Sequence, residues 1–324
     1  MNFKFDVSAI GELLIDFTQI DAANDLFGRN PGGAPANVLA ALSKFNKKTA
    51  FIGKVGKDMF GDYLKSVLDS HDIDTSGLLQ TSKYNTTLAF VKLDENGERS
   101  FSFYRNPGAD LMIYPFDVKN EIIEQSRIFH FGSVSMTGIP ARDATLGAAE
   151  YAKKLGKIVS YDPNLRIRLW SSAEEARKYI LEGMKYADVL KISDDEFEFL
   201  LDDVSLAEGA KLLAQSFDIK LVVVTRGAKG SYYKCGEFEG ELPTLKIDTV
   251  DTTGAGDAFT AGLLNKLTDK GMERAEDFEK LTKEDLEECV KFGLAVGSLC
   301  TKKKGAIPAM PELDEVLEAI KTFN

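Results

Sequence analysis

The sequence predicts a doubly wound α/β fold, with a mostly parallel sheet between two layers of helices. Short apolar runs of strand length alternate with helical patterns over most of the 324 residues. Such alternation is typical of parallel sheets whose two faces are both covered by helices. One stretch with a period-2 pattern breaks the alternation and indicates a separate β-hairpin. Hydrophobic residues make up 44% of the chain, which is enough for a substantial core.

The individual elements follow from this pattern. The predicted buried strands are FDVSAIGELLIDF (5–17), KTAFIGKVG (48–56), RIFHFG (127–132), GKIVSYDPN (156–164), ADVLKIS (187–193) and KLVVVTRG (220–227). The predicted helices are 35–46, 58–70, 141–155, 173–184, 194–201, 207–216, 284–303 and 311–322.

The hairpin is TTLAFVKLDENGERSFSFYR, residues 86–105, with an Asn-Gly turn signal in its centre. DFTQI and LFGRN, near the N-terminus, could pair with it into a small sheet. We expect segments 16–31 and 86–106 to form a lid over a cleft in a single domain that spans residues 1–324. The apolar side chains of the hairpin could join a second copy in a homodimer, or pack onto their own body. These side chains are Leu88, Phe90, Phe101 and Phe103.

Charge and composition exclude several classes of function. The formal net charge is -11, so bulk attraction to nucleic acid or to an anionic membrane is not expected. The three cysteines have no framework spacing, and together with only two histidines they do not suggest a structural zinc site. No apolar run has transmembrane length, and the N-terminus lacks a signal-peptide layout. We therefore expect a cytoplasmic protein.

The segment VDTTGAGDAFTAG, residues 250–262, resembles a phosphate-binding turn but lacks the lysine of a P-loop. Gly254, Ala255 and Gly256 would present backbone N–H groups at a helix start, where an anion is favoured. Asp257 would repel an anion, so its chemical role there is to accept a proton from an attacking hydroxyl. The alternative is a tight turn with a first-turn aspartate that only interacts with the helix dipole.

Two motifs resemble the signatures of the PfkB, or ribokinase-like, carbohydrate kinases. They are DTTGAGDAF, and PGGAPANVLAALSKFNKKTAFIGKVGKDMFGDYL at residues 31–64. The resemblance spans essentially the whole chain. It implies a ribokinase-like three-layer fold with a small β-sheet lid, and ATP-dependent phosphorylation of a sugar. ATP, Mg²⁺ and possible K⁺ are the implied cofactors.

The same resemblance assigns roles near the second motif. Asp257 is implied as the general base that deprotonates the sugar hydroxyl, and Gly254, Ala255 and Gly256 as the anion hole. Asp251 and Thr253 match positions that hold a monovalent cation in many members. The alternative for Asp251 is a turn residue that bonds its own backbone.

The implied substrate contacts come from four segments. An aspartate in GELLIDF holds sugar hydroxyls in the family, and the glycines of the first motif let the backbone approach the ligand closely. The asparagine of that motif offers both a donor and an acceptor. FYRNPGAD and DPNLR contribute further polar groups. The candidates are Asp16, Gly32, Gly33, Asn37, Arg105, Asn164 and Arg166.

Two segments are implied to bind the nucleotide. VTRGAKGS, with Thr225, Gly227 and Gly230, resembles the segment that lies along ATP. In SDDE, Ser193 replaces the asparagine of many members, and Glu196 is retained. We expect Glu196 to organise Mg²⁺ through water, since this ion keeps several of its waters.

The predicted sugar substrate depends on the similarity of three short segments to one group within the family. GGAPANV, DPNLR and GAIPAMP look most like bacterial fructokinases, which implies transfer of the γ-phosphoryl group to the 6-hydroxyl of fructose. A 2-keto-3-deoxygluconate kinase is the alternative within the family, with Arg105 and Arg166 on the substrate carboxylate. A non-catalytic sugar or nucleotide sensor on the same fold is the alternative from another class.

Overall fold

The computed structural model describes residues 3–21, 26–93 and 99–323. In chain order, the strands are β1 (Phe5–Ile10), β2 (Leu14–Asp21), β3 (Leu26–Gly32), β4 (Thr49–Gly56), β5 (Ile73–Thr81), β6 (Leu88–Leu93), β7 (Arg99–Tyr104), β8 (Ser126–Gly132), β9 (Ile158–Asp162), β10 (Val189–Ser193), β11 (Leu221–Thr225), β12 (Ser231–Cys235) and β13 (Phe238–Leu242).

The helices of the described residues lie mostly between these strands. They are α1 (Ala34–Lys44), α2 (Met59–Ser70), α3 (Asn120–Glu124), α4 (Ala141–Lys154), α5 (Ala173–Met184), α6 (Asp194–Leu201), α7 (Leu206–Phe217), α8 (Ala255–Asp269), α9 (Lys283–Cys300) and α10 (Leu313–Lys321). The predicted helix positions are confirmed, with ends that differ by at most three residues.

The large sheet has the strand order β13-β12-β11-β10-β9-β8-β1-β4-β5. Seven strands of this sheet pair in parallel, in the order β5, β4, β1, β8, β9, β10 and β11, whereas β12 and β13 are antiparallel. The order runs outward from β1 in both directions, as the doubly wound prediction requires. Strands β5, β12 and β13 were not among the predicted strands. β5 is an edge strand and has the polar sequence IDTSGLLQT, which carries a weak hydrophobic signal.

Helices cover both faces of the large sheet because both faces are apolar. In β11, Leu221 and Val223 belong to a core shared with α1, α2, α8, α9 and α10. Val222 and Val224, which point the other way, belong to a second core shared with α3 to α7. This two-sided burial explains why the parallel strands are continuous hydrophobic runs. Among the described residues, no helix has both the length and the apolar character needed to cross a bilayer.

The small sheet has the order β3-β2-β6-β7. DFTQI lies in β2 and LFGRN in β3, and β2 pairs with β6 of the hairpin, so the predicted pairing is confirmed. The Asn-Gly turn predicted at 96–97 lies outside the described residues, as does the side chain of Phe101. Leu88 packs against the first core, whereas Phe90 stacks on Phe17 at 4.8 Å between ring centroids.

One strand prediction is wrong. FDVSAIGELLIDF is not a single buried strand, because β1 ends at Ile10 and the chain then enters β2 of the small sheet. The break is built around Gly11, where a Cβ atom would lie 2.6 Å from Pro35. The next residue, Glu12, accepts a hydrogen bond from the Ala34 amide and so joins the break to the start of α1. Asp16 therefore lies in the small sheet and not at the end of β1.

Candidate active site

The predicted site residues converge on a cavity of about 670 Å³, hereafter the larger cavity. It lies where the carboxyl ends of the parallel strands face the small sheet, which contributes Val91 and Phe103 to its wall. Crevices at this edge are where open α/β sheets bind ligands. The predicted residues that line it are Asp16, Gly33, Asn37, Asn164, Arg166, Asp251, Thr253, Gly254, Gly256 and Asp257.

Asp257 lies in the first turn of α8 and is only 8% exposed. Its Oδ2 accepts a hydrogen bond of 2.8 Å from Nδ2 of Asn37, which lies 220 residues earlier in the chain. Burial, reinforced by the neighbouring Asp162 carboxylate, raises the pKa of Asp257 to about 7, against the opposing effects of Asn37, Lys191 and Arg166. A carboxyl group with a pKa in this range is suited to accept a proton near neutral pH.

The start of α8 requires glycine for a steric reason. Gly254 is the N-cap residue with φ 76°, and a Cβ atom there would lie 2.7 Å from the Cβ of Ala306. The Ala255 amide donates to the Thr252 carbonyl at 3.2 Å, and Ala255 does not line the cavity. Gly254 and Gly256 do line it. The helix start can therefore hold an anion, and Gly256 is the residue of its first turn before Asp257 that lines the cavity.

The glycines of the first motif lie against carboxylate and carbonyl oxygens. A Cβ atom on Gly32 would lie 2.2 Å from Oδ2 of Asp16, and one on Gly33 would lie 2.3 Å from the Glu12 carbonyl oxygen. Gly32 is not itself a lining residue, so it acts by leaving room for Asp16. Burial raises the pKa of Asp16 to about 6, although Arg166 opposes this. Nearby, the Oδ1 atom of Asn37 is buried without a hydrogen-bond partner and can accept a bond from a ligand.

Glu12 is a site residue that the sequence interpretation missed. It lines the larger cavity and is 3% exposed. Its Oε1 accepts the Ala34 amide at 2.8 Å, while its Oε2 is buried without a partner. Burial raises the pKa of Glu12 to about 7. The signal in the sequence was a charged residue inside an apolar run, since glutamate is rarely fully buried.

A second cavity of about 300 Å³, the smaller cavity, adjoins the first. It is lined by Asn164, Leu165, Arg166, Ile167, Lys191, Ser193, Asp195 and Glu196. Ser193 and Glu196 form a capping box at the start of α6. Glu196 Oε2 accepts both the amide and the hydroxyl of Ser193, and its Oε1 accepts the Leu165 amide at 2.5 Å. Glu196 thus fixes two loops and still faces the cavity.

Asp251 organises the loop before α8. Its Oδ1 accepts the amide and the hydroxyl of Thr253 at 3.0 and 2.7 Å. Its Oδ2 accepts the Gly305 amide at 2.9 Å, so the carboxylate joins two loops that are 54 residues apart. The turn-forming role weighed as the alternative is therefore present. It also brings the Asp251 carboxylate and the Thr253 hydroxyl together, and oxygen groups of this kind are the ligands that hard cations prefer.

Arg105 and Arg166 occupy different environments. Arg105 is 6% exposed and does not line either cavity. Its guanidinium is 2.6 Å from the Asp110 carboxylate and donates to Thr137 and to the Val134 carbonyl. Arg166 is exposed and lines both cavities. The structure therefore does not bring the two arginines together over one ligand.

The predicted nucleotide segment lies at the turn between β11 and β12. Thr225 ends β11, at the same sheet edge as the cavities. Gly227 and Gly230 have φ angles of 51° and 87°, and a Cβ atom on Gly230 would lie 2.0 Å from the Leu242 carbonyl oxygen. Gly230 is thus required by packing against the end of β13. Neither cavity is lined by these three residues.

Two further charged residues lie beside Asp257. Asp162 ends β9, and Lys191 lies on β10 with its Nζ 3.1 Å from the Asp162 Oδ2. Both are nearly buried, with side-chain exposures of 4% and 8%. The sequence signal for Lys191 was a lysine inside the apolar run VLKIS, but the pattern gave no reason to place it near Asp257.

A third hollow lies elsewhere on the described residues. It has a volume of about 890 Å³ and opens at the amino ends of β1, β4 and β5, where Lys48, Asp69 and Asp74 line it. No predicted site residue borders it. The candidate active site therefore lies at the carboxyl ends of the parallel strands.

Comparison with known proteins identifies the family of the chain. The profile of the family described as "pfkB family carbohydrate kinase" matches residues 4–313. The chain belongs to this family. It is 41% identical to "Probable fructokinase-2" of Arabidopsis thaliana over 320 residues, which cover 97% of this chain and 95% of that protein.

Solved structures agree with the family assignment. The fructokinase of Xylella fastidiosa, solved with bound ATP, superposes with a TM-score of 0.91 at 33% identity, over 98% of both chains. A double mutant of the Vibrio cholerae fructokinase, solved with fructose, ADP and potassium ion, gives 0.87 at 32% identity, over 99% of both. The ribokinase-like fold is therefore confirmed. As a PfkB carbohydrate kinase, the protein is a phosphotransferase with a sugar hydroxyl as acceptor.

Proposed function

We propose that this PfkB kinase is an ATP-dependent fructokinase that phosphorylates the 6-hydroxyl of fructose, with Asp257 as the general base. The observation that carries the proposal is the meeting of Asp257, Asn37 and the start of α8 in the larger cavity, beside Asp16. A proton acceptor, an anion-binding helix start and groups for hydroxyl recognition are thereby brought to one place. The fructokinase relatives support fructose as the sugar.

Asp257 and the start of α8 have complementary parts in the transfer. Asp257 takes the proton from the sugar hydroxyl, whose oxygen attacks the γ-phosphorus of ATP, and ADP leaves. Charge on the transferred group is stabilised by the first-turn amide of Gly256 and by the helix dipole. Asn37 keeps the Asp257 carboxylate oriented through its 2.8 Å hydrogen bond.

The buried carboxyl groups of the larger cavity favour sugar hydroxyls over a substrate carboxylate in their part of the wall, while Arg166, Lys191 and Lys304 line other parts. Glu12, Asp16 and Asp257 line it, and all three carboxyl groups have raised pKa values because they are buried. A substrate carboxylate would meet like charges there, whereas sugar hydroxyls can donate to these oxygens. With Arg105 bound to Asp110, only Arg166 of the two predicted arginines faces the cavity. This arrangement supports fructose over 2-keto-3-deoxygluconate.

The smaller cavity fits Mg²⁺ held mainly by phosphate and water. The described residues contain no group of three or more His, Cys, Asp or Glu side chains placed to hold a metal ion. Mg²⁺ bound with ATP needs few protein ligands because it retains several waters. Glu196 Oε1 has accepted one backbone hydrogen bond and can accept another from a metal-bound water. The bound ion would neutralise phosphate charge.

The loop at Asp251 and Thr253 is the proposed K⁺ site. Asp251 ties this loop to Gly305 through its Oδ2, and Asp251 and Thr253 line the same cavity as Gly254 at the start of α8. A monovalent cation there would offset the negative charge of the neighbouring carboxylates. The Vibrio cholerae fructokinase, whose double mutant was solved in a potassium-bound form, supports this proposal.

The small sheet is proposed as the lid of a single kinase domain that spans residues 1–324, and as a surface for a homodimer. Ile20, Leu26 and Tyr104 on this sheet are 62%, 51% and 67% exposed. Exposed apolar side chains on a sheet favour pairing with a second copy. Light scattering of the purified protein tests this proposal, and a monomer across the micromolar range would refute it.

The substrate assignment is tested by an ADP-release assay over a panel of sugars. Fructose, glucose, ribose and 2-keto-3-deoxygluconate are compared by kcat/KM at fixed Mg²⁺ and ATP. We expect fructose to be preferred by at least roughly 100-fold, since a mispaired polar group in the site costs several kcal/mol. A higher kcat/KM for 2-keto-3-deoxygluconate would replace fructose with the sugar acid. The position of transfer is read from the ³¹P-coupled NMR spectrum of the product.

A further inference from the structure

Lys191 is the buried cation nearest to the start of α8 in the described structure. It is 6% exposed and forms an ion pair of 3.1 Å with Asp162. A Cβ atom on Gly256 would lie 2.8 Å from its Nζ, so the ammonium group rests directly against the first turn of the helix. An ammonium group and a helix N-terminus thus present positive charge to the same point.

Lys191 also lies at the boundary between the two cavities. Only Asn164, Arg166 and Lys191 line both of them within the described residues. On one side is Asp257, the proposed base, and on the other is Glu196 with the α6 start. A phosphoryl group that moves from a nucleotide in the smaller cavity to a sugar in the larger cavity must cross this boundary.

We propose that Lys191 is a catalytic residue whose ammonium group contacts the phosphoryl group during transfer, and that Asp162 holds it in place. This inference rests on the proposed kinase function. In the transfer, the bond from the sugar oxygen to phosphorus forms, the bond from phosphorus to the ADP oxygen breaks, and the hydroxyl proton passes to Asp257. Lys191 keeps its protons and donates hydrogen bonds to the phosphoryl oxygens.

The charges around Asp257 give Lys191 a second, measurable effect. Asp162 on β9 raises the pKa of Asp257, whereas Lys191 on β10 and Arg166 after β9 lower it. Cys300 on α9 also lies nearby, but burial raises the pKa of its thiol to about 12, so it stays neutral. Loss of Lys191 alone leaves Asp162 unpaired and raises the pKa of Asp257 further. The acid limb of the kcat/KM profile then moves to higher pH.

Two variants separate phosphoryl contact from this effect on Asp257. Lys191→Met removes the cation with nearly the same volume, and the double variant Asp162→Asn/Lys191→Met removes both charges together. If Lys191 contacts the phosphoryl group, both variants have low kcat at the high-pH plateau, lower by roughly 100-fold or more, the usual cost of losing one transition-state donor. In the double variant, the acid limb returns toward that of the wild type.

Lys157→Met is the matched control. Lys157 is also a buried lysine, 8% exposed, but it lies just before β9, at the opposite edge of the sheet, and its Nζ donates to the Glu124 carbonyl. This variant is expected to keep kcat within about threefold of the wild type, because it alters no group that faces the cavities. Circular dichroism melting curves check that all variants are folded.

A binding measurement tests the same contact without turnover. Isothermal titration calorimetry compares MgADP alone with MgADP, fructose and aluminium fluoride, a mimic of the phosphoryl group in transfer. Lys191→Met should bind MgADP within about threefold of the wild type, yet lose roughly 100-fold in affinity for the aluminium fluoride complex. A similar loss for MgADP alone would mean a general nucleotide role and would overturn the proposal.

The outcomes distinguish this inference from the proposed function. A Lys191→Met enzyme with wild-type kcat, or a double variant that regains the wild-type plateau, overturns the role of Lys191 and leaves the kinase proposal intact. Turnover of another sugar but not fructose overturns only the fructose assignment, and the variants are then compared with that sugar. A wild-type chain that binds MgADP but neither phosphorylates a sugar nor binds aluminium fluoride overturns both.

Discussion

The larger and smaller cavities share a boundary, but their buried acceptor groups differ in whether the protein itself supplies hydrogen-bond donors to them. In the larger cavity, Glu12 Oε2 and Asn37 Oδ1 are buried acceptors without partners. In the smaller cavity, both oxygens of Glu196 accept hydrogen bonds from the protein. An unpaired buried acceptor destabilises the free protein and is satisfied only when a donor arrives. The larger cavity is therefore prepared for hydroxyl donors, whereas the smaller one is held rigid for an ion and phosphates.

The largest expected effect would come from the base in the larger cavity. Asp257→Asn keeps the shape and the possibility of a bond with Asn37 after an amide flip, but it cannot take a proton. We expect kcat to fall by about 10²–10⁴-fold with little change in the dissociation constant of MgATP. Steady-state kinetics and calorimetry measure these two quantities.

The matched control for Asp257 is Asp143→Asn. Asp143 is an exposed first-turn aspartate of α4, so it has the same relation to a helix dipole but lies outside both cavities. Its turnover should equal that of the wild type. If Asp257→Asn is no slower than Asp143→Asn, the carboxylate is only a helix-dipole residue and the base is elsewhere.

A smaller effect is expected at Glu196, which belongs to the smaller cavity. Glu196→Gln should lower activity by about 10–100-fold and raise the Mg²⁺ concentration needed for half-maximal rate, because it weakens an outer-sphere contact with the ion. Titration of Mg²⁺ at saturating ATP and fructose measures this shift.

Glu208→Gln is the control, since Ser205 and Glu208 repeat the same side-chain pair at the start of α7, away from the cavities. Among the described residues, Glu208 accepts only the Ser205 hydroxyl, whereas Glu196 also accepts two backbone amides, so Glu208→Gln should lose less stability and leave the Mg²⁺ requirement unchanged. An unchanged Mg²⁺ requirement in Glu196→Gln would show that Glu196 is a structural cap and would remove the proposed difference between the cavities.

Gly32→Ala sharpens the comparison on the sugar side. Its Cβ would lie 2.2 Å from the Asp16 carboxylate, which must then move away from the cavity. We expect KM for fructose to rise by about tenfold, the equivalent of about 1.4 kcal/mol, with KM for ATP unchanged.

The control is Gly147→Ala on α4, where the added methyl group meets nothing within 4 Å. This control should keep both KM values and gain up to about 1 kcal/mol of stability. Equal rises in both KM values for Gly32→Ala would contradict a specific sugar contact.

The last expected effect concerns the pH dependence of stability and does not involve turnover. Burial raises the pKa of Glu12 from 4.5 to about 7. Because the folded-state pKa lies above the unfolded one, the stabilisation from this group is complete below pH 4.5 and is lost as the pH rises through about 7. The difference corresponds to about 3 kcal/mol, at about 1.4 kcal/mol per pKa unit.

Glu12→Gln tests this through urea unfolding at pH 5 and pH 8. The wild type should be less stable at pH 8, and the variant should show a smaller decrease. Glu318→Gln, a change at the exposed surface of α10, should keep the wild-type slope. An equal change in the free energy of unfolding between pH 5 and pH 8 in all three proteins would mean that ionisation of Glu12 does not destabilise the fold.

Local sequence pattern predicted much of the fold. The predicted limits 173–184 and 194–201 coincide with α5 and α6, since the hydrophobic period and the capping residues Ser172 and Ser193 mark them. The strand prediction for 5–17 was wrong because one apolar run serves two sheets, and only the packing of Gly11 against Pro35 separates them. Strands β12 and β13 were missed, and their antiparallel pairing depends on the turn at Gly230.

The site was predicted in part. The family motifs and the other matched segments predicted ten residues that the structure places on the wall of one cavity, including Asp257, Asn37 and Asp16. They did not indicate Glu12, Asp162 or Lys191, because a single charged residue within an apolar run does not show which neighbour it meets. Arg105 was expected over the substrate, but the structure gives it a buried partner, Asp110, five residues later.

Local sequence patterns were enough to predict the layered α/β architecture, the helix limits and the glycine-rich start of α8. These features depend on interactions between residues close in the chain, so periodicity and capping reveal them. Tertiary packing brings Asn37 to Asp257 and places the Asp162–Lys191 pair against Gly256. Those contacts join residues that are far apart in sequence. Their distances are set by strand order and by the packing of the whole core, which no local pattern specifies.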